Sequence, residues 1–396
     1  MTSSVRRPPA WLMVSTGILI VMTVLVFGRL AFGLILPSMR DGLMLSYQQA
    51  GNLGTATALG YLSLVLYAGI VASRRGGRFA VLLGIVFSTA GFVGLSLAPG
   101  YLMALVLMTL LGFGTAFGFT PLISLLSTWF PEKRGSVIGF LVSGVGIGML
   151  VAGWLVPYVV SLVGPEGWRR VWQLFACSGL VAFLAALAFL RNPPEAPLDP
   201  GATPMNRKAV YRNPHVVMVG MLYGVIGVTY IVQSVFMYSF AVESGISAIT
   251  AGHLTSAMGL LVAFSGPCWG WFGDRFGRGL ALLISSSMAV FAIGLPVLWP
   301  ELPSFVAHYL ILGATMNGMF ISVLSISSER VTAHEAPVAV SYVTVFFAVG
   351  QLIGPVGAGL LIDLSGFRGA FAMVCLVLVA GVYLSMKLHL YPKLTT

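Results

Sequence analysis

The sequence predicts an all-α membrane protein, with twelve transmembrane helices in two pseudo-symmetric six-helix bundles. Three observations carry that expectation. Of 396 residues, 58% are hydrophobic and only 8% are charged, where a soluble domain carries roughly 25%. So little charge cannot cover a water-facing surface, which excludes a large soluble globule. Apolar runs of the ~20 residues that a spanning helix needs recur about a dozen times. Finally, features of the first half return in the second at a nearly constant spacing.

In chain order, Arg6 and Arg7 precede an apolar run from Trp11 to Pro37. That run is too long for the apolar region of a cleaved signal peptide and is read as the first span, α1 (11–37). Arg40 separates it from α2 (47–72), and Arg74, Arg75 and Arg78 mark the break before α3 (79–98). After α4 (101–129), Lys133 and Arg134 lead into α5 (136–163), and Arg169 and Arg170 open α6 (169–190). The stretch Arg191–Asn213 holds Pro193, Pro194, Pro197, Pro200 and Pro204 without an apolar period, so it reads as a linker. Residues 1–190 and 214–396 are then the two bundles. The second comprises α7 (214–240), α8 (250–272), α9 (279–299), α10 (304–328), α11 (337–362) and α12 (368–390). Arg275 and Arg278, Arg330 and Arg368 fall in its connections.

The net charge of +10 is distributed by loop. Arg6, Arg7, Arg74, Arg75, Arg78, Lys133, Arg134, Arg191, Arg207, Lys208, Arg212, Arg275, Arg278, Arg330, Lys387 and Lys393 fall at one end of the spans. Only Arg40, Arg169, Arg170 and Arg368 fall at the other. Cytoplasmic loops carry the excess of basic residues, so both termini and the linker are expected in the cytoplasm. Orientation accounts for the basic charge, and a nucleic-acid partner is not expected. The cysteines Cys177, Cys268 and Cys375 lie in apolar runs and read as small core residues, without a disulfide framework or metal site.

The repeat is visible at three places. Gly69-x-x-x-Ser73-Arg74-x-Gly76 aligns with Gly270-x-x-x-Asp274-Arg275-x-Gly277, 201 residues on, and Ala50-Gly51 with Ala251-Gly252 at the same spacing. Gly167-Trp168-Arg169 aligns with Gly366-Phe367-Arg368 at a spacing of 199. A duplicated six-helix unit is an organisation that transporters use.

The run Gly270-Trp271-Phe272-Gly273-Asp274-Arg275-Phe276-Gly277-Arg278 resembles the G-x-x-x-D-R-x-G-R loop motif of the major facilitator superfamily. The resemblance covers the whole chain and implies two bundles around a central cavity with alternating access. It also implies that Asp274, Arg275 and Arg278 are gating residues, with Arg74 in the first copy and Arg134 as a partner across that end. Ser73 replaces the aspartate in the first copy, which implies a weaker first latch. Gly28-Arg29-Leu30-Ala31-Phe32-Gly33 with Leu36-Pro37 resembles the first helix of the YbfB/YjiJ-type bacterial members. Gly350-Gln351-Leu352-Ile353-Gly354-Pro355 is compatible with that subgroup. Trp129-Phe130-Pro131-Glu132-Lys133-Arg134-Gly135 is similar to a run in monocarboxylate and oxalate/formate carriers.

Arg29 is the one charged residue well inside a span. A guanidinium there costs from ~2.5 kcal/mol upward unless it faces protein or water, and its fork of donors fits a carboxylate or phosphate. It is either the anion-binding group of a cavity or a residue that snorkels or braces α1 against a neighbour. On α7, Tyr223, Gly227, Tyr230, Ser234 and Met237 form a stripe, with Gln233 beside Tyr230. On α11, Ser341, Thr344, Ala348, Gln351 and Pro355 form another. Lipid does not reward hydroxyls and amides, so these rows face a cavity or bond helix to helix. Tyr61, Asn52 and Asn317 are further cavity candidates. His308, near the start of α10, reads as solvated.

All the acidic residues lie at helix ends or in loops. The mid-span carboxylate that lets many pumps exchange a proton for a cation is therefore missing. The small residues Gly135, Gly139, Ser143, Gly146 and Gly153 on α5, with Gly350, Gly354 and Ala358 on α11, suit close, sliding helix contacts. Neither G-x-S-x-G nor G-x-x-x-x-G-K-[ST] occurs, which argues against an enzyme and against ATP-driven transport. The expectation is a secondary active transporter, without cofactor or metal, working as a monomer in lipid. Its cargo is expected to be a small organic anion, a carboxylate moved with a proton. Efflux of amphipathic drugs or metabolites is the alternative, favoured by aromatic content and 18 methionines. A non-transporting receptor or scaffold is the alternative from another class.

Overall fold

The computed structural model describes residues 9–193, 207–332 and 335–390. The long helices, in order, are α2 Tyr47–Arg75, α3 Gly77–Ser96, α4 Tyr101–Trp129, α5 Arg134–Val163 and α6 Gly167–Phe189. They continue with α7 Pro214–Glu243, α8 Ala248–Phe276, α9 Arg278–Leu298 and α10 Leu302–Ile326. The first span, α1, comes in three stretches: Ala10–Val21, a π-helical Met22–Leu30, and Phe32–Leu43. It runs past Pro37, where the sequence placed its end. A proline loses its own N–H and crowds the carbonyl four residues back, which can bend a helix without ending it. The helix stops at Met44, in left-handed backbone, with the Leu45 N–H donating to the Arg40 carbonyl at 2.9 Å.

The last element is a continuous run, Ala336–Leu390. At ~1.5 Å per residue it would reach ~80 Å, far beyond a ~30 Å hydrocarbon core. Gly366, at φ 71°, breaks it into α11 and α12, so two spans cross where one run is traced.

Helix starts follow local chemistry. Ser46 and Gln49 form a reciprocal capping box on α2, Asn213 caps α7 with Pro214 in its first turn, and Ser247 accepts from the Thr250 N–H on α8. Each cap satisfies donors that a helix leaves unpaired at its start. Cys177 and Cys268 are free and exposed, where core positions were expected. Lipid places no penalty on a small apolar group facing outward.

The duplication is written into the backbone. The described residues with positive φ are Met44, Gly76, Gly164, Gly245, Gly277 and Gly366. Met44 pairs with Gly245 and Gly76 with Gly277 at the 201-residue spacing; Gly164 pairs with Gly366 at 202. Each pair turns the chain at the same junction of its half. The arginines behind the third pair keep the 199 spacing. Arg169 donates to the Ser96 and Ala98 carbonyls at the end of α3 (3.2 and 2.9 Å). Arg368 donates to Val297 at the end of α9 (3.0 Å). The first copy therefore carries extra turn residues before α6.

The two halves touch at the end opposite the arginine-rich loops. There a Cβ on Gly33 of α1 would overlap the Ser234 carbonyl of α7, and one on Gly51 of α2 the Pro355 carbonyl of α11. Thr55 donates to the Leu352 carbonyl at 2.9 Å. Along α5 and α8, a Cβ on Gly153 would sit 2.6 Å from the Gly252 carbonyl and one on Gly146 2.5 Å from that of Gly259. Farther toward the arginine-rich end the same helices part. A Cβ on Gly69, Gly135, Gly139 or Gly270 would meet nothing within 4 Å.

Candidate functional site

Arg29 sits in the π-helical stretch of α1. The Ala31 N–H reaches back five residues to the Val26 carbonyl at 2.8 Å, while Thr115 of α4 donates to the Val24 carbonyl at 2.7 Å. A side-chain donor thus ties the widened stretch of α1 to α4. π-Helical turns recur at functional sites. The face-to-face stack of Phe27 on Phe175, centroids 4.3 Å apart, anchors the same stretch to α6.

Arg29 is 8% exposed. Its Nη2 donates to Oε1 of Gln351, across from the first half to the second, at 2.7 Å. Its Nε is buried and without a hydrogen-bond partner among the described residues. The Tyr61 ring lies beneath it, 5.8 Å from Cζ to centroid, and Tyr230 is within its electrostatic reach. Among the described residues no carboxylate approaches it within 4.0 Å. A buried cation normally has a paired charge; this one has a neutral amide and tyrosines.

Aromatic rings wall the second half beside it. Tyr223 stacks on Phe347 at 4.5 Å, and Tyr230 meets Phe320 edge-on at 5.3 Å. Phe320 and Phe347 close the group at 5.6 Å. Of the residues singled out from sequence, Arg29, Tyr61, Tyr230 and Gln351 come together, with Tyr223 in the adjoining wall. Gln233 turns toward α9 and α10, bordering a small void with Met316 and Met319.

Asn317 is held elsewhere: its Nδ2 donates to the Val262 carbonyl (2.7 Å) and the Ser265 hydroxyl (2.9 Å), tying α10 to α8. Asn52 donates to the Tyr101 hydroxyl at 3.0 Å, within the first half. His308 is not solvated. It is fully buried, with Nδ1 2.8 Å from the Ala292 carbonyl, because α9 packs over the start of α10. Phe320 and Phe347 were missed by sequence reading, since phenylalanine in a span is indistinguishable from packing. The π-helical turn was missed as well.

At the arginine-rich end Asp274 pairs with Arg278 of its own loop at 3.1 Å. Arg275 lies over the Phe276 ring at 5.7 Å, and Arg74 is exposed at the end of α2. The side chain of Arg134 lies outside the described residues. A groove of about 430 Å³ between α7, α11 and α12 is lined by apolar groups such as Val225, Val345, Phe346 and Ile353, so it offers a polar cargo nothing to bind.

An all-α membrane protein with a repeated six-helix unit, a central buried cation and halves that touch at one end is built as a membrane transporter. Over residues 21–390 the sequence matches the family described as "Uncharacterised MFS-type transporter YbfB". It is 26% identical to monocarboxylate transporter 11 of Homo sapiens, across 98% of this chain and 85% of that protein. It is 25% identical to the hexuronate transporter of Bacillus subtilis (strain 168), across 42% of this chain and 39% of that protein. The fold superposes on a bacterial homologue of the human lysosomal transporter Spinster, solved inward-facing and unoccupied, with TM-score 0.81 and 17% identity over 96% of each chain. A point mutant of the nucleoside transporter NupG superposes with TM-score 0.82 at 14% identity, over 95% of this chain and 99% of that one. The chain belongs to the YbfB-type family of major facilitator transporters, a family of carriers and not of enzymes.

Proposed function

We propose that the protein carries a small organic anion, a monocarboxylate with an apolar or aromatic body, and moves it with a proton by alternating access. One observation carries the reading: among the described residues Arg29 is a desolvated cation with an unfilled donor and no carboxylate within 4.0 Å. An anionic cargo supplies the missing charge, and one guanidinium neutralises one carboxylate. The Tyr223, Tyr230, Phe320 and Phe347 rings give its body an apolar wall, while the Tyr61 and Tyr230 hydroxyls orient its polar end. The similarity to a monocarboxylate transporter and a hexuronate transporter supports an organic acid. Among the described residues no acidic group stands beside Arg29 to compete with the cargo carboxylate.

In the same reading, the linker at 191–213 divides the chain into bundles that rock about the Gly33, Gly51 and Gly153 contacts. The arginine-rich end faces the cytoplasm of a bacterial inner membrane, so the structure corresponds to the inward-open state of a monomer.

Uptake of labelled acetate, lactate, benzoate and glucuronate into proteoliposomes tests the reading, with and without a proton gradient. Wild type should accumulate at least one of them more than tenfold faster than Arg29→Ala, since each charged hydrogen bond contributes about 1.5–3 kcal/mol. Equal uptake by wild type and variant would remove Arg29 from the site.

A further inference from the structure

The geometry points to Gln351 as a placeholder ligand. Its amide oxygen holds the Arg29 guanidinium across the two halves when the site is empty, and the cargo carboxylate displaces it. Binding then breaks the bond between α1 and α11. This inference rests on the reading of Arg29 as the anion-binding group.

The argument is one of valence. On the side edge of a guanidinium, Nε and Nη2 present two parallel N–H bonds, which match the two oxygens of a carboxylate. In this structure Nη2 donates to Gln351 Oε1 at 2.7 Å while Nε, its neighbour on that edge, is buried without a partner among the described residues. An amide has one acceptor oxygen, so it fills half the fork and leaves half empty. A carboxylate fills both halves and brings a full negative charge, making a bidentate ion pair where the amide offers a single neutral acceptor. The exchange therefore favours cargo even though it breaks an existing bond.

Position gives the exchange a mechanical consequence. Arg29 lies in the first half and Gln351 in the second, 322 residues apart in sequence. Gln351 lies one helical turn before Pro355, whose carbonyl faces Gly51 of α2, and beside Leu352, whose carbonyl accepts from Thr55. Releasing Gln351 loosens α11 where it meets the first half. Cargo recognition and the freedom of the halves to rock become one event.

Two substitutions should act in opposite directions. Gln351→Met keeps length and removes the acceptor, leaving the fork open. Gln351→Glu places a permanent carboxylate on it. Purified protein in nanodiscs is titrated with acetate, lactate and benzoate by calorimetry. For whichever of these binds wild type, Gln351→Met should bind about threefold to tenfold tighter, and Gln351→Glu about tenfold weaker or more. Affinity unchanged in both variants, or weakened in both, would overturn the placeholder role; the second result would make Gln351 an ordinary cargo ligand. Arg29→Ala at wild-type affinity would instead overturn the underlying site.

A second measurement needs no cargo. Spin labels at Gly139 and Gly270, with the three cysteines replaced by serine, report the distance across the open end. In Gln351→Met without carboxylate, the closed-end population should rise about threefold or more over wild type. An unchanged distance distribution would overturn the coupling.

Discussion

Asp363, near the end of α11, accepts the backbone N–H of Tyr47, the first residue of α2, at 3.0 Å, and that of Gln48 at 2.8 Å. A carboxylate of the second half thus caps a helix of the first. The position 201 residues earlier is Leu162, so the repeat has no matching latch on α5. Around the cap, the Tyr47 hydroxyl donates to Glu243 of α7, and Arg40 lies over the Tyr47 ring at 4.2 Å and 3.7 Å from Glu243. Parting the halves here would orphan two helix donors and separate these charges.

Asp363→Ala should weaken this closure by about 1–2 kcal/mol, the usual effect of losing a helix cap. Spin labels at Met44 and Leu364, which are 91% and 74% exposed, read the separation at this end. The separated population should rise about 5- to 30-fold. Asp363→Asn, which keeps an acceptor and loses the charge, should fall between the two.

The glycine contacts yield a matched pair of variants. Gly51→Ala forces a methyl group onto the Pro355 carbonyl and should destabilise the observed arrangement by about 1–3 kcal/mol. Gly139→Ala meets nothing within 4 Å and should leave thermal stability within about 0.5 kcal/mol of wild type. If the halves rock, Gly139→Leu should nonetheless slow transport, because that surface closes in the opposite state.

Asp274 pairs with Arg278 at the surface, so Asp274→Asn should change the melting free energy by less than about 1 kcal/mol. The loop motif implies that Asp274 acts in a state closed at the arginine-rich end, and a loss there would test that role. The label pair at Gly139 and Gly270 should lose its short-distance population, together with transport.

Arg169 and Arg368 occupy equivalent places but differ in support. Arg169 bonds two carbonyls and covers the Trp168 ring at 4.1 Å, whereas Arg368 bonds one carbonyl from an exposed position. Arg169→Ala should cost about 1.5–3 kcal/mol and Arg368→Ala about half that or less, in detergent melts.

Much of this architecture was legible in one dimension. Hydropathy selects the spans because hydrocarbon requires every backbone group to be satisfied within a helix. The break at Gly366 and the turns at Gly76 and Gly277 fall in the gaps between the apolar runs. Arg29 stood out by its cost, and Tyr230 and Gln351 by being polar where lipid gives no reward.

What remained hidden depended on partners distant in sequence. Asn317 and Gln351 look alike as mid-span amides; only packing sends one to α8 and the other to Arg29. Asp363 reads as a loop acid until α2 is brought beneath it. The π-helical turn at Met22–Leu30 is tied to α4 by a donor 91 residues away in sequence. Solvent preference is a property of each residue and its neighbours, so the chain alone dictates which segments enter the membrane. Hydrogen-bond partners and the opening between the halves arise only when separate helices meet, and three-dimensional packing decides them.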